Sequence, residues 1–221
     1  MPICIVICLS LAYWQSGRIE EKQALQLHYD TMLSEAALNL NDISDFETLA
    51  NMTWQPVRVH GEFLKPYQFL LDSQVYQGKP GYHVIAPLRI DGSDHIILVN
   101  RGWIAAGNNR RDIPNIAEIT ETQPIQGQLA KPKSTMPGFE NTDISDPVQL
   151  FINLEALSVR IGAPIAPMLI QLDVRATGSL PREWPKYDAK IEMHEFYVIH
   201  WLIAAFLSVL LYVYFAYKEK A

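Results

Sequence analysis

The chain has 221 residues, 49% of them hydrophobic, with 18 Lys and Arg against 24 Asp and Glu for a formal net charge of −6. A net acidic chain without a basic block is repelled by phosphate backbones, which excludes nucleic acid as a partner. Both of its 2 cysteines, Cys4 and Cys8, fall in the first apolar run, so the remainder can hold neither a disulfide framework nor a zinc ribbon.

Pro2 to Trp14 is apolar and uncharged. About 13 residues make only roughly 20 Å of helix, short for a span, and neither a basic n-region nor an A-x-A site marks a signal peptide. The stretch reads as the outer part of a first transmembrane helix whose beginning is thinned or lies upstream. Cys4 and Cys8 share a helix face and read as small apolar residues, since a soft metal would need more ligands than the pair offers. From Gln15 to about Leu40, apolar residues recur at three- and four-residue steps, so the helix is expected to continue into water. Ser44-Asp45-Phe46-Glu47 has capping-box spacing and predicts a short helix over Phe46 to Ala50.

The period then changes to two. Trp54–Phe63, Tyr67–Tyr76, Tyr82–Ile90 and His95–Ile104 read as strands, joined by turns at Gly78-Lys79-Pro80-Gly81 and Asp91-Gly92-Ser93-Asp94. Successive hairpins imply an antiparallel meander. Ala117–Leu129 adds a strand, Lys131–Pro147 is a proline-rich loop, Asn153 caps a helix to Ile161, and Ile165–Ala176 returns as a strand. Pro181 and Pro185 break the chain before a final helix beginning near Tyr187.

Phe196 to Tyr217 carries no formal charge and is interrupted only by His200 and Ser208. About 22 residues span roughly 33 Å, enough for a bilayer core of about 30 Å. Trp184, Tyr187, Tyr197 and Trp201 lie at its entry and Tyr212, Tyr214 and Tyr217 at its exit, before Lys218-Glu219-Lys220, as interfacial aromatic belts require. The expected fold is therefore a membrane-anchored α+β protein, an antiparallel, barrel-like β domain between an N-terminal and a C-terminal transmembrane helix. Residues 1–16 form the first helix (short or truncated), 17–190 a soluble β-rich domain, 191–217 the second helix and 218–221 a tail.

No G-x-S-x-G, H-E-x-x-H, Walker or Rossmann glycine pattern is present, and no nucleophile–base pair stands out, so no enzymatic activity is expected. His28, His60, His83 and His95 are scattered singly and read as surface or strand residues. Arg110-Arg111 reads as a solvated loop, although paired guanidiniums also suit a carboxylate. His194, Tyr197 and Trp201 share one helix face at the membrane boundary, while His200 lies deeper, turned away, where a polar ring should face protein or ligand. An imidazole beside an apolar slot is what an axial haem ligand requires; a snorkelling interfacial residue is the alternative.

Several segments carry a resemblance. Tyr13-Trp14-Gln15-x-x-Arg18-x-x-x-Lys22 after an apolar run, Val59-His60-Gly61-Glu62-Phe63, Gly78-x-x-Gly81-Tyr82-x-Val84-x-x-Pro87-Leu88, Leu98-Val99-Asn100-Arg101-Gly102-Trp103 and His194-x-x-Tyr197-x-x-x-Trp201 occur in this order. Together they resemble the Surfeit locus protein 1 family, two-span membrane proteins that assist assembly of haem a-containing cytochrome c oxidase. The resemblance covers nearly the whole chain; the short first span and His200 depart from the family pattern.

It implies an inner-membrane, multi-pass protein with a periplasmic main domain, which binds or hands over haem a to a cytochrome c oxidase subunit, with haem a synthase as a further partner and a cytoplasmic tail at 218–221. The implied iron ligand is His194, beside Tyr197 and Trp201, with Arg101, Arg110 and Arg111 as propionate partners. The farnesyl tail of haem a favours lipid and its propionates the wet rim. The alternative is a membrane-tethered scaffold that stabilises oxidase subunits without cofactor. Asn100, Arg101, Gly102 and Trp103 can equally serve the fold alone, since a buried arginine must find a carboxylate or carbonyl.

Overall fold

The computed structural model describes residues 2–107, 113–116, 119–121, 123–134 and 144–218. Arg110 and Arg111, the start of the strand expected from Ala117, most of the proline-rich loop and positions 219–221 lie outside them. The chain divides into two compact units, Met1–Thr31 with Lys186–Ala221, and Met32–Pro185.

The first unit is helical. Helix α1 covers Pro2–Ser34 without interruption, about 50 Å at 1.5 Å per residue, so the apolar start and the polar continuation are one rod. It stops six residues short of Leu40, because Leu38 and Asn39 pair as a strand and Leu40 enters the core of the other unit. The second long helix of this unit, Ile191–Lys218, follows a turn in which Lys190 takes φ 49° and its N–H is received by the Asp188 carboxylate at 2.9 Å. Both are long and apolar enough to cross a membrane, with mean hydropathy 1.3 and 2.1 over their best windows. Only 17% and 6% of those windows is buried, so neither is the covered core helix of a soluble protein.

The second unit is built on one sheet. Its strands are β1 (Leu38–Asn39), β2 (Pro56–Val59), β3 (Gly61–Phe63), β4 (Phe69–Tyr76), β5 (Lys79–Ile90), β6 (Ile96–Ala105), β7 (Ile125–Ala130), β8 (Val148–Gln149) and β9 (Ile165–Leu172). Among the described residues of this unit the α-helix α2 (Leu154–Ile161) precedes β9, and the C-terminal helix Ile191–Lys218 of the other unit is α3. Asn153 caps α2 by accepting the Ala156 N–H at 3.0 Å, and Gly162 closes it at φ 76°. The helix expected over Phe46–Ala50 is a 3-10 segment, Phe46–Asn51, capped by Asp45 rather than Ser44.

The sheet order is β1-β2-β7-β9-β6-β5-β4-β8, with β3 also on β5. This corrects the expected antiparallel barrel in two ways. The order ends at β1 and β8, so the sheet is not closed, and β1/β2, β4/β8 and β6/β9 pair in parallel. The hairpins β4-β5-β6 form as expected, but the first turn lies earlier than Gly78–Gly81: Gln77 and Gly78 take positive φ, 48° and 74°, the geometry of a two-residue loop that matches strand twist, and Lys79-Pro80-Gly81 already belong to β5. Strand β6 is buried from Ile96 to Trp103, packed on both faces. Leu88, Ile97 and Val99 join Phe46 and Leu49 on one side, while Ile85 and Leu98 meet Leu157 of α2 on the other.

Candidate functional site

In the helical unit, the shielded positions of α1 include Ile5, Cys8, Ala12, Gln15, Ile19, Lys22, Gln26 and Tyr29, at alternating three- and four-residue steps, with Leu11, Ser16 and Arg18 half-buried beside them. Those of α3 run Ile191, His194, Val198, Trp201, Ala205 and Ser208 with the same alternation. Such a seam keeps facing a partner helix over many turns. The partner is the other helix, running antiparallel: Gln26 Oε1 accepts the Ala189 N–H at 3.2 Å, and Gln15 meets His194 eleven residues back along α1. Tyr187 joins them at the polar end, its ring 5.9 Å from Tyr29 and 6.0 Å from the Lys22 ammonium. Small residues at Cys8, Ala12, Ala205 and Ser208 let the two helices approach closely.

His194 is half-buried on this seam, and its Nδ1 lies 2.7 Å from Gln15 Oε1. An amide oxygen has no proton to give, so Nδ1 donates in this bond and Nε2 is the ring nitrogen left outside it. That is the arrangement of a metal-ligating histidine, whose second nitrogen is anchored by an acceptor. Among the described residues no group of three or more His, Cys, Asp or Glu could hold a bare metal ion. A lone imidazole does fit iron already held in a porphyrin, which asks the protein for as little as one axial ligand.

Of the two aromatic residues expected beside it, Trp201 is half-buried on the same stripe, whereas Tyr197 is 45% exposed and edge-on to Phe196 at 6.1 Å. The seam passes through Val198 instead. His200 is exposed rather than facing the other helix, with its ring 4.3 Å from Phe196 one turn earlier. Gln15 is the residue that sequence reasoning passed over. It stood only as part of the Tyr13-Trp14-Gln15 motif, but an amide in step with Cys8 and Ala12 at the end of an apolar run is itself a signal, because it needs a partner there.

Arg101 belongs to the other unit. It is the extra residue of a bulge in β6, since Val84 pairs with Gly102 and Ile85 with Asn100. The bulge turns its guanidinium onto Glu121, with Nε to Oε1 at 2.8 Å and a second nitrogen to Oε2 at 3.0 Å, and a third bond reaches Gln68 Oε1 at 2.7 Å. Arg182 closes the cluster, 3.6 Å from Glu121 and donating to the Arg101 carbonyl at 2.7 Å. Burial lowers the Arg182 pKa, Glu121 raises it, Arg101 lowers it and Asp173 raises it. Arg101 is thus tied into the β-rich unit through Glu121 and Gln68, as a buried guanidinium requires.

The neighbouring motif residues are also tied to the fold. Gly102 sits at φ 135°, and a Cβ there would lie 2.7 Å from the Pro181 carbonyl oxygen, so the Leu180–Arg182 segment rests directly on its backbone. Trp103 covers Gly81, where a Cβ would meet its ring at 2.4 Å. Asn100 bridges the Gly102 N–H and His83 Nδ1. His83 stands edge-on to Trp184 at 5.5 Å, and burial depresses its pKa to about 4, so it is neutral at physiological pH.

The SURF1 family pattern is matched by residues 2–206, which takes in both units. The chain is similar to a SURF1-like protein of Rickettsia bellii (strain RML369-C), 29% identical over 164 residues, or 72% of this chain and 64% of that one. A SURF1-like protein of Rickettsia prowazekii (strain Madrid E) is 23% identical over 221 residues, 97% of this chain and 87% of its own length. One of Caenorhabditis elegans is 30% identical over 118 residues, 45% and 36% respectively. The chain spans just under two thirds, 64%, of the Rickettsia bellii protein's length. With the family pattern running from the start of α1 to the middle of α3, the chain belongs to the SURF1 family.

Proposed function

We propose that this protein is an assembly factor for haem a-containing cytochrome c oxidase, and that it holds haem a as cargo at His194 on the way to an oxidase subunit. Both helices cross the inner membrane and lie in the lipid bilayer, the β-rich unit is periplasmic, and haem a synthase is the source of the cargo. The observation that carries the reading is the half-buried His194 with its Nδ1 bonded to Gln15, 2.7 Å away on the other helix, which leaves Nε2 outside that bond. When bound, haem supplies an iron with an axial position that an imidazole can fill. The chain's own part is to orient that imidazole, to offer aromatic surface at Trp201 and Tyr197, and to present the half-buried Lys22 toward the polar end of α1 as a cation for a propionate.

The test is the absorption spectrum of protein purified in detergent from cells that synthesise haem a. A haem band is expected in the wild type and its loss in His194→Ala. An unchanged band in a folded His194→Ala protein would remove the assigned role. Oxidase co-purifying equally with both proteins, neither carrying a band, would favour the cofactor-free scaffold instead.

A further inference from the structure

We infer that Gln15 is a positioning residue for His194: its amide oxygen holds the Nδ1 proton, fixes the ring's tautomer and leaves Nε2 as the only nitrogen able to bind an iron porphyrin. What Nε2 binds rests on the cofactor reading above, whereas the tautomer does not.

Gln15 is 9% exposed, the buried polar side chain of the helical unit among the described residues. It stands between Ala12 and Ile19 on the shielded stripe of α1, where an amide without a partner pays for its lost hydration. The nearby hydroxyl does not compete for it, because Ser16 Oγ donates back to the Ala12 carbonyl at 3.1 Å. The 2.7 Å contact to His194 Nδ1 therefore serves both groups. It also crosses from one helix to the other, so the ring is held by a residue 179 positions away in sequence and its orientation depends on helix pairing. An acceptor on Nδ1–H raises the basicity of Nε2 and removes ring rotation as a competing state. A carboxylate at position 15 would hold the same proton more strongly, and an apolar residue would release it.

The first arm uses full-length protein in nanodiscs without haem and reads imidazole nitrogen shifts after labelling histidine with 15N, the His194 signals being identified by their loss in His194→Ala. The wild type should show a protonated Nδ1 and an unprotonated Nε2. Gln15→Leu should show a mixture weighted to the other tautomer, and Gln15→Glu should retain the wild-type pattern. The second arm titrates haem by absorbance. Gln15→Leu and the shorter Gln15→Asn should bind about 10–100-fold more weakly, with Gln15→Glu recovering affinity and a lower iron midpoint potential. An Nε2-protonated His194 in the wild type, or Gln15→Leu matching the wild type in both arms, overturns the inference. Haem binding that survives His194→Ala, or is absent throughout, overturns the cofactor reading, and the nitrogen shifts then decide the role of Gln15 by themselves.

Discussion

Replacing Glu121 by Gln is expected to destabilise the β-rich unit by about 3–5 kcal/mol. The side chains of Arg101 and Glu121 are each 1% exposed and that of Arg182 is 3% exposed, so water cannot screen what the substitution uncovers. One carboxylate answers two guanidiniums, bidentately for Arg101 at 2.8 and 3.0 Å and at 3.6 Å for Arg182. Its neutralisation leaves two like charges facing each other under the sheet. The attraction lost for a pair near 4 Å is about 4 kcal/mol at an effective dielectric of about 20, in line with that range. The assay is urea unfolding of the detergent-solubilised protein, followed by tryptophan fluorescence, with Trp103 and Trp184 reporting from this unit. A control separates charge from shape: Arg101→Met with Glu121→Leu removes one charge of each sign and the repulsion between the two guanidiniums, and should recover part of the loss, Arg182 still lacking its carboxylate. A Glu121→Gln loss below about 1 kcal/mol, or a double variant no better than the single one, would refute the reasoning.

Two further outcomes follow from the same unit. The His83 pKa is depressed from 6.5 to about 4 on folding, so its contribution is complete above pH 6.5 and is lost as pH falls toward 4, where only the unfolded chain takes the proton; the full loss is on the order of 3 kcal/mol. His83→Gln should flatten the stability profile across that window, and identical profiles for the two proteins would sink the assignment. Gly102→Ala places a Cβ 2.7 Å from the Pro181 oxygen and 2.9 Å from Leu180 Cβ at φ 135°. It should cost about 2–4 kcal/mol and open the 173–185 segment to protease, and an unchanged melting temperature would contradict it.

The parts of the fold that were readable from sequence are those made by neighbours in the chain. The hairpins of β4, β5 and β6 announce themselves through turn residues, and Asn153 announces α2 through its cap. The parallel β6/β9 pair joins Ile96 to Ile165, and no local signal specifies a partner so far along the chain; the barrel expectation came from extending local hairpins to the whole sheet. On α3, the shared stripe of His194 and Trp201 was legible because their spacing lies on one helix. Gln15 was not, because its role exists only across two helices. The carboxylate that Arg101 needs was not legible either, because Glu121 lies twenty residues on and outside any strand.

Both ends of the sheet bear on how this unit could meet another chain. The outermost strands, Leu38–Asn39 and Val148–Gln149, are two residues each, and the longer β4 inside the second is dislocated at Asp72-Ser73, where Ser73 takes φ 63°. A visiting peptide finds no straight ladder of free amides to extend, so β-augmentation gains it little among the described residues. Recognition is thereby handed to side chains, on sheet faces, loops or the exposed apolar flanks of the two long helices, and single-residue scanning of those surfaces is how a docking footprint would emerge.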